Sequence, residues 1–295
     1  MKIFKAIIIF LVLTMFAGLA ACTSITTQSD PQTIAIGHSI KSNNVILERL
    51  DNHKILYQKN PQQQIHIASL TKIMTVYVLL EERQDLSLEV VMTPAVIEKM
   101  QAENSTLSGF KPNESVTLLD LAYGIILPSG GDAAMIAANY VSGSEQMFVQ
   151  LMNKYANLLG MHNTQFTNAT GLDTSGQYST VADLRKLLNK ALELPVFKKI
   201  FTTLHYRTQA YDLMPEGYEI TSSILAHDND LKLNQGTLLG GKTGYTNLAG
   251  LCLASIAKVA GHEYLLITAG ANGDYYTKQY NILDAVNIYN WLATE

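Results

Sequence analysis

The stretch HIASLTKIMTVYVLL, His66 to Leu80, decides how the rest of the chain is read. Ile73, Val76, Tyr77 and Leu80 recur at helical spacing, which predicts a helix that begins near Ser69 and ends near Glu82. Its first turn carries Ser69 and Lys72, and two chemistries fit them. Ser69 is either an ordinary helix N-cap or a nucleophile whose proton passes to a lysine amine on the same helical face.

Ser-x-x-Lys alone does not choose, because the pattern recurs at Ser108/Lys111 and Ser255/Lys258. Local structure separates the three. Ser255 lies in a predicted strand, where residues i and i+3 point to opposite faces. Ser108-Gly109-Phe110-Lys111, followed by Pro112, reads as a loop or hairpin. Only Ser69 opens an apolar helix, where its N–H lies near the positive end of the helix dipole and favours a developing oxyanion. That helix is apolar nearly all round, so Lys72 is expected to be buried. Desolvation lowers a lysine pKa, and a neutral amine can take the serine proton.

Outward from this helix, Val45–Leu50 and Lys54–Tyr57 flank DNHK and read as a β-hairpin. The middle of the chain is helical. SVTLLDLAYGIIL has Thr117 and Asp120 in a capping arrangement, and Pro128 ends it. A second helix has Asp132 at its N-terminus, read as a cap rather than a catalytic acid. A third has Gly160 as its C-terminal signal, and a fourth is opened by Ser179 or Thr180. Beyond Pro215, Ala249–Ala257 and Glu263–Ala269 read as two strands, and Thr277 to Leu292 as a closing helix. Strands at both ends around a helical middle predict an α+β fold: one antiparallel sheet made from both chain ends, flanking helices, and a helical insertion lobe over about 94–200.

The N-terminus reads MKIFKAIIIFLVLTMFAGLAAC. Lys2 and Lys5 precede an apolar stretch too short for a confident membrane span, which fits a signal peptide over 1–21. Leu19-Ala20-Ala21-Cys22 resembles a bacterial lipobox, in which Cys22 carries a diacylglycerol anchor after cleavage. Residues 22–43, polar and rich in Ser and Thr, read as a tether leading to a domain over 44–295. The chain is then exported and lipid-anchored to the bacterial cell membrane or outer membrane, facing the wall. Without the leader, Cys252 and Cys22 are the only thiols, and with Cys22 lipidated no internal disulfide forms. The formal charge of −4 becomes more negative when the two leader lysines leave. No basic run and no zinc spacing occurs, so neither nucleic acid nor a metal is expected, and no cofactor is called for.

Two more patches matter. Gly240–Thr246, GGKTGYT, sits just before the predicted strand pair. There Lys242 and Thr243 can bind a carboxylate and Gly244 lets a substrate backbone approach, or the patch is a plain glycine-rich turn. LPSGGDAA places Ser129 on the turn between two helices. The ordered set Ser69-Leu70-Thr71-Lys72, Ser129, Lys242-Thr243-Gly244 resembles the penicillin-binding serine enzymes. ASLTKIMT, GMHNTQFTNATGL, YSTVADL and GKTGYTNLAGLCL resemble the D-alanyl-D-alanine carboxypeptidases of peptidase family S11.

The resemblance implies a β-lactamase/transpeptidase-like fold and removal of the terminal D-alanine from peptidoglycan pentapeptide stems. It also implies covalent inhibition by β-lactams. Carried over, Ser69 is acylated, Lys72 is its general base and Ser129 relays a proton to the leaving D-alanine. Lys242 and Thr243 hold the terminal carboxylate, and the N–H groups of Ser69 and Tyr245 form the oxyanion hole. One departure stands out: the family's second motif is usually Ser-x-Asn, and here it is Ser129-Gly130-Gly131. The amide that would orient Lys72 is missing, so either a neighbouring amide or a water substitutes or turnover is slow. Two alternatives remain. One is a β-lactamase, which would need a glutamate that FTNATGLDTSGQ lacks. The other is a penicillin- and peptidoglycan-binding lipoprotein that is acylated but hardly turns over.

Overall fold

The structure, a computed structural model, describes residues 39–228 and 231–293. The leader 1–21 and Cys22 lie outside the described residues.

A five-stranded antiparallel sheet, order β2-β1-β9-β8-β7, joins both ends of the chain. Its strands are β1 (Asn44–Arg49), β2 (Lys54–Lys59), β7 (Gly236–Thr246), β8 (Gly250–Val259) and β9 (His262–Ala271). β1 pairs with β9, which closes the sheet between elements far apart in sequence. Alternation along these strands divides the core in two. Val45, Leu47, Leu253 and Leu266 face one way, onto Ile282, Ala285, Ile288 and Tyr289. Ile46, Ala254 and Ile267 face the other way, into the helical lobe.

That lobe surrounds α1 (Thr71–Glu82), in which every residue from Thr71 to Leu79 is buried. Around it stand α2 (Pro94–Ala102), α3 (Leu118–Ile126), α4 (Gly131–Ser142), α5 (Glu145–Leu158), α6 (Val181–Leu192) and α7 (Pro195–Phe201). A helix buried all round needs no polar face, which explains the apolar run first quoted. Side-chain caps open three of these helices, two of them, Thr117 and Thr180, at positions the sequence signals. Thr117 accepts from Asp120 N–H at 3.1 Å, Ser144 from Met147 N–H at 3.3 Å, and Thr180 from Asp183 N–H at 3.0 Å.

Four expectations are corrected. GGKTGYT is not a lead-in to the strand pair but the end of β7 itself, paired with β8 from Gly236 to Thr246. Its glycines mimic a turn, yet Gly241 is required because a Cβ there would stand 2.2 Å from Ala254 O. Asp132 is not a cap: α4 starts at Gly131 with Gly130 at the N-cap and no side-chain cap bond. Both Asp132 carboxylate oxygens instead accept from Ser108, N–H at 2.8 Å and Oγ–H at 2.7 Å. The closing helix α8 (Tyr280–Leu292) starts after Thr277, whose hydroxyl is used by Asp274 N–H in a turn. The tether cannot extend to residue 43. Ile40 and Ser42 are buried, and Ser42 donates to Asp284 through N–H (2.6 Å) and Oγ–H (2.7 Å).

Two short strand pairs complete the β structure of the described residues. β3 (Glu89–Val91) pairs with β4 (Ser115–Thr117), and β5 (His205–Arg207) with β6 (Glu219–Thr221). The second hairpin is pinned to α3 by hydrogen bonds from Tyr206 and Tyr211 to the Asp120 carboxylate. These strands are too short to show a period of two in the sequence.

Candidate active site

Ser69 occupies a 3-10 turn, Ala68–Leu70, that feeds directly into α1. The α-helix proper begins at Thr71 with no side-chain cap bond, so Ser69 is not its N-cap. Ala68 is left-handed at φ 46°, and its carbonyl lies where a Cβ on Gly171 would stand, 2.1 Å away. Only glycine fits at 171, and that contact seats the loop after α5 directly on the Ser69 turn. From the other side, a Cβ on Gly244 would meet Ser69 N at 3.1 Å, so edge strand β7 closes against the same turn. Ser69 is left half-buried while Ala68 and Leu70 are buried.

Lys72 follows at one helical turn. It is 2% exposed, and its Nζ donates to Ser69 Oγ at 3.0 Å and to Thr170 O at 2.5 Å. Burial lowers its pKa to about 7, against a smaller upward pull from the Asp132 charge. Near neutrality much of this amine is therefore deprotonated. Its lone pair is then within hydrogen-bond reach of a hydroxyl proton.

The Thr170 carbonyl is aimed by a loop built on Asn168. Its Oδ1 accepts from Gly171 N–H at 2.6 Å, and its Nδ2 donates to Leu172 O at 2.9 Å. The Thr75 hydroxyl of α1 ties the loop down through Ala169 O at 2.7 Å.

A cleft of about 670 Å³ runs between β7 and the helical lobe, and Ser69, Lys72, Ser129, Thr170, Thr243, Gly244 and Tyr245 all line it. Ser129 is 5% exposed and left-handed at φ 70°, on the turn between α3 and α4. Such a conformation in a non-glycine residue costs free energy and is common at functional turns. The Thr243 hydroxyl pairs with Ser223 Oγ at 2.5 Å.

Lys242 does not line the cleft. It is fully buried, with Nζ donating to Thr243 O at 2.7 Å. Burial first, and the charge of Lys72 second, hold its ammonium well below the ordinary lysine range. It stands behind the cleft wall and touches it only through the Thr243 carbonyl. Among the described residues no group of His, Cys, Asp and Glu side chains could hold a metal ion.

The structure thus brings Ser69, Lys72, Ser129 and Thr243 to Tyr245 to one cleft, with Lys242 behind it. Thr170, Asn168 and Ser223 were missed by sequence reasoning. Thr170 and Asn168 lie in a stretch singled out only for its likeness to a family. Thr170 acts through its carbonyl, which every residue has. Ser223 carries no motif at all.

The sequence matches the Peptidase_S11 family, D-alanyl-D-alanine carboxypeptidase, over residues 26–273. It is 30% identical to the D-alanyl-D-alanine carboxypeptidase DacF of Bacillus subtilis, covering 92% of this chain and 66% of that protein. To DacC of Escherichia coli it is 31% identical, over 88% and 66% respectively. The chain thus spans just under two thirds of these relatives' length. A D-alanyl-D-alanine endopeptidase of Pseudomonas aeruginosa is 27% identical over 95% of this chain and 87% of its own. Among solved structures, the Streptomyces K15 DD-transpeptidase superposes with a TM-score of 0.74 at 25% identity, covering 85% of this chain and 97% of its own. A D-alanyl-D-alanine carboxypeptidase from Mycobacterium tuberculosis gives 0.73 at 27%, covering 87% and 92%. The penicillin-binding fold and the match over most of the sequence place this chain in the S11 family of D-alanyl-D-alanine carboxypeptidases.

Proposed function

We propose that this protein is a serine-type D-alanyl-D-alanine carboxypeptidase that removes the terminal D-alanine from peptidoglycan pentapeptide stems. The observation that carries the reading is the buried Lys72 amine 3.0 Å from Ser69 Oγ, with its pKa lowered to about 7. Lys72 takes the Ser69 proton as Oγ attacks the carbonyl of the penultimate D-alanine. The oxyanion forms against the N–H groups of Ser69 and Tyr245, and losing one such donor costs about 10²–10³ in rate. Ser129 passes a proton to the leaving amine. Thr243 binds the terminal carboxylate, with Lys242 behind it donating to the Thr243 carbonyl. Water then hydrolyses the Ser69 ester. β-Lactams, which present a similar carboxylate and carbonyl, acylate the same hydroxyl.

In this reading the leader directs export, and a diacylglycerol on Cys22 holds the domain at the membrane. Among the described residues no helix is long and apolar enough to cross a membrane. The test is release of free D-alanine from a diacyl-D-Ala-D-Ala peptide. Release by the intact protein and none by Ser69→Ala is expected; equal release by both sinks the assignment. A second reading, an endopeptidase cutting a cross-link, is raised by relatives of that name that match 94–95% of this chain. Faster cleavage of a cross-linked dimer than of the pentapeptide would favour it.

A further inference from the structure

The turn after Ser129 has no side chain at Gly130 or Gly131, and a neighbouring segment fills the space. A Cβ on Gly131 would stand 2.1 Å from Ser105 Oγ and 3.0 Å from Ser105 Cβ. A Cβ on Gly130 would stand 2.7 Å from Ser108 Cβ. The segment is anchored on both sides of Ser105. Ser105 N–H donates to Met100 O at 2.9 Å, and Gly131 N–H donates to Thr106 O at 2.7 Å. Just beyond, Ser108 is fastened to Asp132 by the two bonds already described. Ser105 is therefore held where a side chain on residue 131 would begin.

Ser105 also lines the cleft together with Ser69, Lys72 and Ser129. Its hydroxyl makes only a long 3.4 Å contact with Thr106 O, at the edge of hydrogen-bond geometry. A hydroxyl both donates and accepts, so it can serve a peptide N–H or a peptide carbonyl. The gap left by glycine at 131 is thus occupied by a polar group from another part of the chain, one not otherwise committed.

We propose that Ser105 is a substrate-positioning residue, its hydroxyl standing in for the polar side chain that residue 131 lacks and hydrogen-bonding the backbone of the bound stem peptide. The inference rests on the proposed carboxypeptidase reading. It makes Ser105 and Gly131 a coupled pair, since any side chain at 131 must displace Ser105 and any loss at 105 leaves the gap open.

The experiment measures D-alanine release, penicillin acylation and thermal stability for four proteins besides the wild type. Ser105→Ala is expected to keep its Tm and to lose about tenfold in kcat/KM and in acylation rate, the scale of one hydrogen bond. Ser105→Thr keeps the hydroxyl and is expected to retain most activity. Gly131→Asn alone forces the segment aside and lowers both Tm and activity. Adding Ser105→Gly to it is expected to restore Tm and bring activity above that of Ser105→Ala. Wild-type kinetics in Ser105→Ala would overturn the inference and leave the carboxypeptidase reading standing. A kinetic loss matched by a fall in Tm and not prevented in Ser105→Thr would overturn it too, reducing Ser105 to a packing group. A wild-type protein that neither releases D-alanine nor is acylated would overturn both.

Discussion

The amine of Lys72 fixes a pH profile that can be worked out in advance. Its pKa is lowered from 10.5 to about 7, chiefly by burial. If only the neutral amine accepts the Ser69 proton, the competent fraction is about 9% at pH 6, about 50% at pH 7 and about 91% at pH 8. Acylation by a fluorescent penicillin, followed by stopped flow, is therefore expected to rise about fivefold from pH 6 to 7 and less than twofold from pH 7 to 8. The Asp132 charge pulls the Lys72 pKa upward, so Asp132→Asn moves the midpoint to lower pH. Stability carries the same sign. Between about 7 and 10.5 the unfolded chain binds the proton that the folded one has lost, so stability rises with pH across that window. Below about 7 both states are protonated and the burial penalty on the charge is fully present. A rate still climbing tenfold per unit at pH 8, or one flat from pH 6 upward, would refute the neutral-amine argument.

Three further perturbations follow from the same geometry. Lys72→Met removes the base from a site only 2% exposed and is expected to slow acylation by about 10²–10⁴. In urea titrations it should be more stable than wild type at pH 6, with the gap narrowing toward pH 10, because the buried charge is gone. Gly171→Ala puts a Cβ 2.1 Å from Ala68 O at φ 81°, and should cost roughly 2–4 kcal/mol in urea unfolding and slow acylation as the Ser69 turn shifts. Asp284→Ala orphans Lys41 N–H, Ser42 N–H and Ser42 Oγ–H, an expected loss of about 3 kcal/mol. Limited proteolysis should then cut near residues 40–43.

The sequence made the sheet legible because both ends carry β segments and the middle carries helical stripes with caps at Thr117 and Thr180. It made the burial of Lys72 legible because the surrounding positions of α1 are apolar on every side. It hid β7, since Gly236, Gly240, Gly241 and Gly244 speak for turns, and only pairing with β8 overrides that local preference. It hid the role of Asp132, whose partner Ser108 is brought near by tertiary packing alone. Lys242 was readable as a motif residue, but not its position behind the cleft wall. Ser105 acquires its place through a distant glycine, at 131, and Thr170 through the Asn168 loop seated on the Ser69 turn by Gly171, contacts that no local pattern announces. Residues 40–43 read as tether by composition, and the acceptors that dock them, Asp284, Ala269 O and Gly270 O, all lie more than 220 residues away in sequence.

The central claim is that one hydroxyl, Ser69 Oγ, becomes acylated with Lys72 as its base, and intact mass after incubation with penicillin tests it most directly. The account predicts a single adduct of the antibiotic's mass on the wild-type chain and none on Ser69→Ala at any pH from 6 to 9. An adduct of equal yield on Ser69→Ala, or none on the wild type, would contradict it.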